Sequence, residues 1–306
     1  MRSLFSTAVL ASSAMAADDK CRALVLSGGG NNGAWEVGVF YGLVNFGNPA
    51  DFAYDVVTGV SAGSINTLGF AGYAKGDEVA LATYISDLWK NLHTSDVWVD
   101  WPLGKVSGIT IMGGAVDNSP LLHFLQALAA TFSEIKRRFV ISSVNVETGE
   151  YVQWTKDDLI LEEMPDAAVA SASIPFVFPP HNWKSKGVFM DGGTVYNINM
   201  EGAISQCKDA GFEEKDIIMD VLLCGPSDGV EAHTDTGKTY ENFMRKRSIH
   251  SFYGNTDSLA TSLKAHSEVD LRYVIYQNGT YFSGLSELNF EGDFTWPIQE
   301  GGRTDA

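Results

Sequence analysis

The chain has 306 residues, 45% of them hydrophobic and 19% charged, a balance that suits a globular protein and excludes a disordered or fibrous one. Its 21 Lys+Arg face 38 Asp+Glu, for a net charge of −17, so the surface repels phosphate backbones and draws no help from anionic membranes. Nucleic acid is therefore not an expected partner, and any contact with lipid has to rest on apolar groups.

Met1-Arg2-Ser3, the apolar stretch 4–14 and the small-x-small triplet Ala14-Met15-Ala16 read as a signal peptide over residues 1–16, cleaved after Ala16. Cleavage removes one arginine and leaves 20 − 38, a net charge of −18. The mature chain, 17–306, is then expected to be secreted or to enter the secretory pathway. No other segment approaches the ~18 apolar residues of a membrane span. The polar end, 299–306, is unlike the apolar tail of a lipid-anchor signal.

From there the pattern alternates strand and helix. Residues 22–27 form a β run closing into Gly28-Gly29-Gly30, and 32–46 a helix with Trp35, Val39, Leu43 and Phe46 near 3.6-residue spacing. Residues 55–58 are a strand, 62–74 a helix, and 77–92 a helix whose apolar set is Val79, Leu81, Ile85, Leu88 and Trp89. Ser119-Pro120 marks a helix start, serine as the cap and proline first, running to 132. Residues 138–148 and 150–154 pair as a hairpin, 157–171 is helical, and 188–190 is a short strand. A helix over 200–210, a strand over 217–224, a long helix over 240–266 with Gly254 as its weak point, and a strand over 271–276 follow. The tail after Gly284 reads as irregular. With no repeat, low-complexity tract or linker, one α/β domain with a mainly parallel sheet accounts for the pattern.

Three cysteines remain in the mature chain: Cys21, Cys207 and Cys224. One disulfide with a thiol left over and three buried thiols are both open readings. Asn278-Gly279-Thr280 is the one N-glycosylation sequon.

Gly59-Val60-Ser61-Ala62-Gly63 lies between the strand at 55–58 and the helix at 62–74, the setting in which a sharp turn holds a serine hydroxyl out for attack. A working serine nucleophile also needs oxyanion donors and a base. Ser27-Gly28-Gly29-Gly30-Asn31-Asn32-Gly33 follows one strand and opens a helix, so its bare N–H groups suit an oxyanion, and equally a phosphate or a plain tight turn. It lacks the Lys-Ser/Thr of a P-loop. None of the six histidines, His93, His123, His181, His233, His250 and His266, sits in a glycine-flanked turn after a strand. Asp191 does: it ends the strand at 188–190 and precedes Gly192-Gly193, a placement that suits either a base or a β-turn. All three features fall at the C-terminal ends of strands, where open α/β sheets build their sites.

With these motifs the chain resembles the patatin-like phospholipase family, over roughly residues 22–199. Two further segments add to the likeness in order: Gly113-Gly114-Ala115-Val116-Asp117-Asn118-Ser119-Pro120-Leu121 and Ala170-Ser171-Ala172-Ser173-Ile174-Pro175-Phe176-Val177-Phe178-Pro179-Pro180. The resemblance implies a three-layer α/β/α fold with a mainly parallel central sheet. It implies a lipid acyl hydrolase of phospholipase A/esterase type that needs no metal or other cofactor, with a Ser–Asp dyad and no histidine. Carried onto this sequence, Ser61 is the nucleophile and Asp191 the base. Backbone N–H groups of Gly28, Gly29 and Gly30, with Ala62, form the oxyanion hole, supported by Gly33, Gly59, Gly63, Gly192 and Gly193. The chain departs from the family at Asn32, where Lys or Arg is usual, and at Asn197-Ile198-Asn199, where Asn-x-Pro is common. Residues 200–306 carry no family motif.

Two other readings stay open at the sequence level. One is an α/β-hydrolase-type esterase with a Ser-Asp-His triad using His233, His250 or His266; the other is a catalytically silent lipid-binding or storage protein on the same fold. Trp89, Trp98 and Trp101, with Val97, Val99, Pro102 and Leu103, read either as core or as an apolar lid that meets a membrane or micelle surface.

Overall fold

A computed structural model describes residues 19–225, 227, 229–230, 238–278 and 284–306. The expected leader, His233 and the last two residues of the sequon lie outside the described residues.

In chain order the first half comprises β1 (Cys21–Leu26), α1 (Gly33–Phe46), β2 (Val56–Val60), α2 (Ala62–Ala71), α3 (Glu78–Lys90), the short α4 (Thr94–Val97) and α5 (Gly104–Ser107), and α6 (Ser119–Ala129). The second half comprises β3 (Arg138–Asn145), β4 (Tyr151–Thr155), α7 (Met164–Ala172), β5 (His181–Trp183), β6 (Gly187–Asp191), α8 (Met200–Asp209), β7 (Ile217–Leu223), α9 (Thr239–Ala265), β8 (Asp270–Tyr276) and α10 (Gly292–Asp305). Strands from both ends of this series enter one sheet, in the order β5-β6-β3-β2-β1-β7-β8, with β4 added on β3. β3, β2, β1, β7 and β8 are mutually parallel, so the expectation of a mainly parallel α/β sheet holds. Such strands are covered on both faces, which is why β1 reads as a nearly continuous apolar run. Leu24 and Leu26 enter the core under α1–α3, while Cys21, Ala23 and Val25 enter a second core under α8.

One strand departs from the parallel pattern and sets the site. β6 is antiparallel to β3, with Asp191 opposite Ser143, while β2 is parallel to β3, with Val60 opposite Ser142. β4 occupies the other edge of β3 over the same residues, so β2 and β6 share one edge. Their C-terminal ends therefore meet head to head, and the residues that follow Val60 and end β6 are neighbours. Direction is not written into a three-residue apolar run, so this reversal was invisible to strand patterning.

Helix boundaries follow proline and glycine chemistry. The helix expected from 157 begins only at Met164, because Pro165 is tolerated in a first turn and not in a helix interior. In α6 the cap is Asn118, one residue earlier than expected, and Ser119 N–H donates to Asp117 Oδ1 at 2.8 Å. Phe46 and Val79, read as core-facing, are exposed. α9 runs through Gly254 without interruption.

The tail after Gly284 is not irregular: it holds a 3-10 turn, Gly284–Leu288, and the 14-residue α10 packed on α1 and α3. Gly292, Pro297, Gly301 and Gly302 hid that helix. Two of these glycines serve contact and not breakage, Gly292 against Lys90 O at the end of α3 and Gly302 against α1. A Cβ on Gly302 would sit 2.2 Å from Trp35 O, and one on Gly38 of α1 would sit 2.1 Å from Gln299 O. The two backbones touch, so α1 is covered by α10 as well as by α3 and α2, which explains its apolar character all round.

Cys21 and Cys207 are joined in a disulfide that ties β1 to α8, and Cys224 is a buried free thiol. Among the described residues no helix is long and apolar enough to cross a membrane.

Candidate active site

β2 delivers Ser61 into a backbone conformation that few side chains adopt, φ 54° and ψ −120°, before α2 begins at Ala62. Such strain persists only where surrounding bonds enforce it. Here Ser61 N–H donates to Ser171 Oγ at 2.9 Å, and Ser171 in turn donates to Ser142 O at 2.6 Å. Ser64 Oγ donates to Ser61 O at 2.5 Å. The flanking glycines are required by proximity: a Cβ on Gly59 would lie 2.2 Å from Gly63 O, and one on Gly63 2.7 Å from Leu26 O. Ser61 is 2% exposed.

Asp191, at the end of β6, is also 2% exposed. Its N–H is held by Ser173 O at 2.9 Å, and its Oδ1 accepts from Gly193 N–H at 2.7 Å. The turn uses this one oxygen only: Oδ2 is buried without a hydrogen bond of ordinary length among the described residues. The Ser61 hydroxyl is the side-chain group placed to reach this carboxylate. Burial pushes the Asp191 carboxyl above its ordinary value, opposed by the charge of Arg247, the Ser61 hydroxyl and the Gly193 N–H. A base confined to the usual aspartate range would be a poor proton acceptor near neutral pH, so the dry setting moves it in the useful direction.

The glycine loop closes the third side. A Cβ on Gly28 would lie 2.9 Å from Ser61 Cβ, so the loop and the serine are in contact. Gly30 adopts φ 59°, the left-handed region that favours glycine. The four expected oxyanion donors are not equivalent. Gly28 N–H donates to Asn197 O at 3.2 Å and is engaged. The N–H groups of Gly29, Gly30 and Ala62 carry no such bond among the described residues. Asn32, where a cation is usual in the resembled family, instead bonds the loop: its Nδ2 donates to Gly29 O at 3.0 Å. Gly33 opens α1 against Trp89 and Ala62, and Gly192 packs on Ser142 and Val60, so the supporting glycines meet at this one place.

Several contributors lie outside the site residues expected from the sequence. Asn197 Nδ2 donates to Gly28 O at 3.1 Å and to Ser251 Oγ at 3.1 Å, tying the loop to α9. Asn199 Nδ2 donates to Ser142 Oγ at 2.9 Å. Arg247, also on α9, pairs with Glu287 at 2.8 Å and supplies positive charge near Asp191. Asn31 Nδ2 donates to Ser286 O and Asn289 O at 2.7 and 2.8 Å, so the segment before α10 clamps the glycine loop.

Histidine plays no part in these contacts among the described residues. His93 bonds Glu291, His181 bonds Asp166, and His266 bonds Glu201 and Glu214. His123 and His250 are exposed on α6 and α9.

An apolar cavity of about 510 Å³, within the roughly 300–1,000 Å³ usual for ligand pockets, adjoins the segment that clamps the glycine loop, and neither Ser61 nor Asp191 lines it. Leu288 and Asn289 form one wall, next to the clamp on Asn31, and Phe176 and Val177 form another, shortly after the Ser173 carbonyl that holds Asp191. Trp98 and Ile109 line it toward the surface. The tryptophans themselves are brackets: Trp89 donates to Asn66, Trp98 to Leu288 O and Trp101 to Gly114 O. Leu103, Val106 and Ile111, in the same segment as the lining residues Lys105 and Ile109, are exposed.

A family model described as "Patatin-like phospholipase" matches residues 24–204. A "cGAMP-activated phospholipase" of Escherichia coli (strain TW11681) is 28% identical over 199 residues, covering 58% of this chain and 53% of that protein. The "cGAMP-activated phospholipase" of Vibrio cholerae serotype O1 (strain ATCC 39315 / El Tor Inaba N16961) is 25% identical over 206 residues, covering 58% and 55%. The chain thus spans about half the length of the curated relatives it matches. Among solved structures, VipD from Legionella pneumophila aligns over 92% of this chain and 67% of its own, at 16% identity and a TM-score of 0.43.

Proposed function

The chain belongs to the patatin-like phospholipase family, and on that premise we propose that it cleaves carboxylic esters of lipids through a Ser61 acyl-enzyme, with Asp191 as general base. The observation that carries this reading is the head-to-head meeting of β2 and β6, which sets a strained serine beside a buried carboxylate with one oxygen unused.

Chemically, Asp191 Oδ2 takes the Ser61 proton as Oγ attacks the ester carbonyl. The oxyanion that forms is received by the N–H groups of Gly29, Gly30 and Ala62, each worth roughly 3 kcal/mol when well aimed. Collapse expels the alcohol, which takes the proton back from Asp191. A water activated by the same carboxylate then releases the acid and regenerates Ser61. The apolar cavity takes an alkyl chain, which supports a lipid substrate over a small polar ester. Leu103, Val106 and Ile111 offer the lipid surface an apolar contact that a chain of net charge −17 cannot make electrostatically. Secretion is supported by the signal-like N-terminus and by the Cys21–Cys207 disulfide, which suits an oxidising compartment.

Labelling by a fluorophosphonate probe tests the assignment. Wild type is expected to label at Ser61, Asp191→Asn to label far more slowly, and His233→Gln, His250→Gln and His266→Gln to label as wild type. Loss of labelling in any single histidine variant would replace the dyad by a triad. Lipid binding without labelling of Ser61 would mark a silent binding protein.

A further inference from the structure

Glu36 lies inside α1, one turn beyond the glycine loop, and is 1% exposed. A carboxyl is rarely buried so completely without a cation, and among the described residues Glu36 makes no ion pair. Its bonds go to the two ends of the glycine loop. Oε2 accepts from Asn66 Nδ2 at 3.0 Å, and the same Nδ2 donates to Gly33 O at 3.0 Å, where the loop leaves into α1. Oε1 lies 3.5 Å from Ser27 Oγ, where the loop leaves β1. Both intermediaries are fixed from behind: Ser27 Oγ accepts from Cys224 N–H at 2.9 Å, and Asn66 Oδ1 accepts from the Trp89 indole at 2.8 Å.

The titratable and charged groups around Glu36 leave it without compensation. Beyond β7 stands the Cys224 thiol, which burial pushes up and which is within reach of both Glu36 and Asn32 O. Glu287, before α10, is held by Arg247 of α9, and Asp305 of α10 takes the Trp35 indole. Arg303 of α10 is committed to Glu300 and Ser86. α2 carries no charged residue, and on α3 the inward-facing Glu78 is paired with Arg137 while Lys90 lies over Trp296. Asp191, at the end of β6, makes no hydrogen bond to Glu36 among the described residues.

We propose that Glu36 is a positioning residue for ester hydrolysis: as a neutral acid it joins the two ends of the glycine loop, and its anion would oppose the oxyanion that the loop receives. Burial pushes this carboxyl up to about 8, with the hydrogen bonds of Asn66, Cys224 and Ser27 pulling the other way. Near neutral pH the group is therefore protonated and the loop sees no charge behind it. Above that range a fixed negative charge stands behind N–H groups that must receive another, in a medium too dry to screen it.

This inference rests on the ester-hydrolase reading, and the pH dependence of kcat on a soluble short-chain ester separates the two. Wild type is expected to lose about tenfold in kcat through a single ionisation near pH 8, with KM little changed. Glu36→Gln, an uncharged isostere, is expected to remove that alkaline fall, whereas Glu36→Ala lowers kcat across the whole range and Glu36→Gln restores it relative to alanine. An alkaline limb in Glu36→Gln identical to wild type would overturn the role of Glu36 while leaving Ser61 chemistry standing. Absence of turnover by wild type at every pH, or turnover undiminished in Ser61→Ala, would overturn the ester-hydrolase reading and this inference with it.

Discussion

Removing the Cys21–Cys207 disulfide is expected to destabilise the protein by more than any single surface change, because the bond closes a long loop between β1 and α8. The two residues are 186 apart in sequence, and both are fully buried where β1 meets α8. In the chain-entropy account a closed loop of that length removes about 18 cal/mol/K from the unfolded state, about 5 kcal/mol at 25 °C. Unfolding entropy of roughly 2.1 cal/mol/K per residue over about 290 residues gives about 0.6 kcal/mol/K, so the loss corresponds to about 8 °C in Tm. Calorimetry of Cys21→Ala/Cys207→Ala against wild type measures it. Thiol titration of the denatured, unreduced wild type supplies the second reading, with Cys224 the one expected to react. A Tm change under about 2 °C, or three reactive thiols, would refute the reasoning.

Asp191→Asn is expected to abolish turnover and to raise Tm near neutral pH. The sign follows from the raised folded value: the stability this group contributes is complete below the unfolded carboxylate range and is lost as pH rises through the folded value. By the same shift, the acid limb of kcat/KM in wild type lies above the ordinary aspartate range, and a limb within that range would contradict it. Gly38→Ala drives a methyl into Gln299 O and is expected to cost about 1–3 kcal/mol in a denaturant melt. Gly254→Ala meets open space in the middle of α9 and is expected to stabilise by about 0.5–1 kcal/mol; equal effects at the two glycines would show that the contact between α1 and α10 was misread.

The glycine loop, the serine turn and the Asp-Gly-Gly turn were legible because each needs particular residues within a few positions: glycine where backbone comes within 3 Å, and a short carboxylate where a turn N–H must be bonded. What joins them was not legible. The reversal of β6 depends on pairing with β3 and leaves no trace in Val188-Phe189-Met190. The engagement of Gly28 N–H depends on a carbonyl 169 residues away, on Asn197, so the four expected donors read as equal in the sequence. α10 was missed for the opposite reason. Gly292, Gly301, Gly302 and Pro297 are breakers by intrinsic propensity, and only the close approach of α1 to Gly302 and of the end of α3 to Gly292 shows that these two are contact surfaces. Nothing in the apolar spacing of the helix 32–46 marks Glu36, whose significance appears only once Ser27 and Asn66 are seen on either side of it.

The central claim is that Ser61 carries the hydrolysis of a lipid ester. Product analysis of a phospholipid and neutral-lipid panel incubated with wild type and with Ser61→Ala tests it most directly. Wild type is expected to release free fatty acid together with the matching deacylated lipid, and Ser61→Ala to release neither. Equal release by the two proteins would contradict the account.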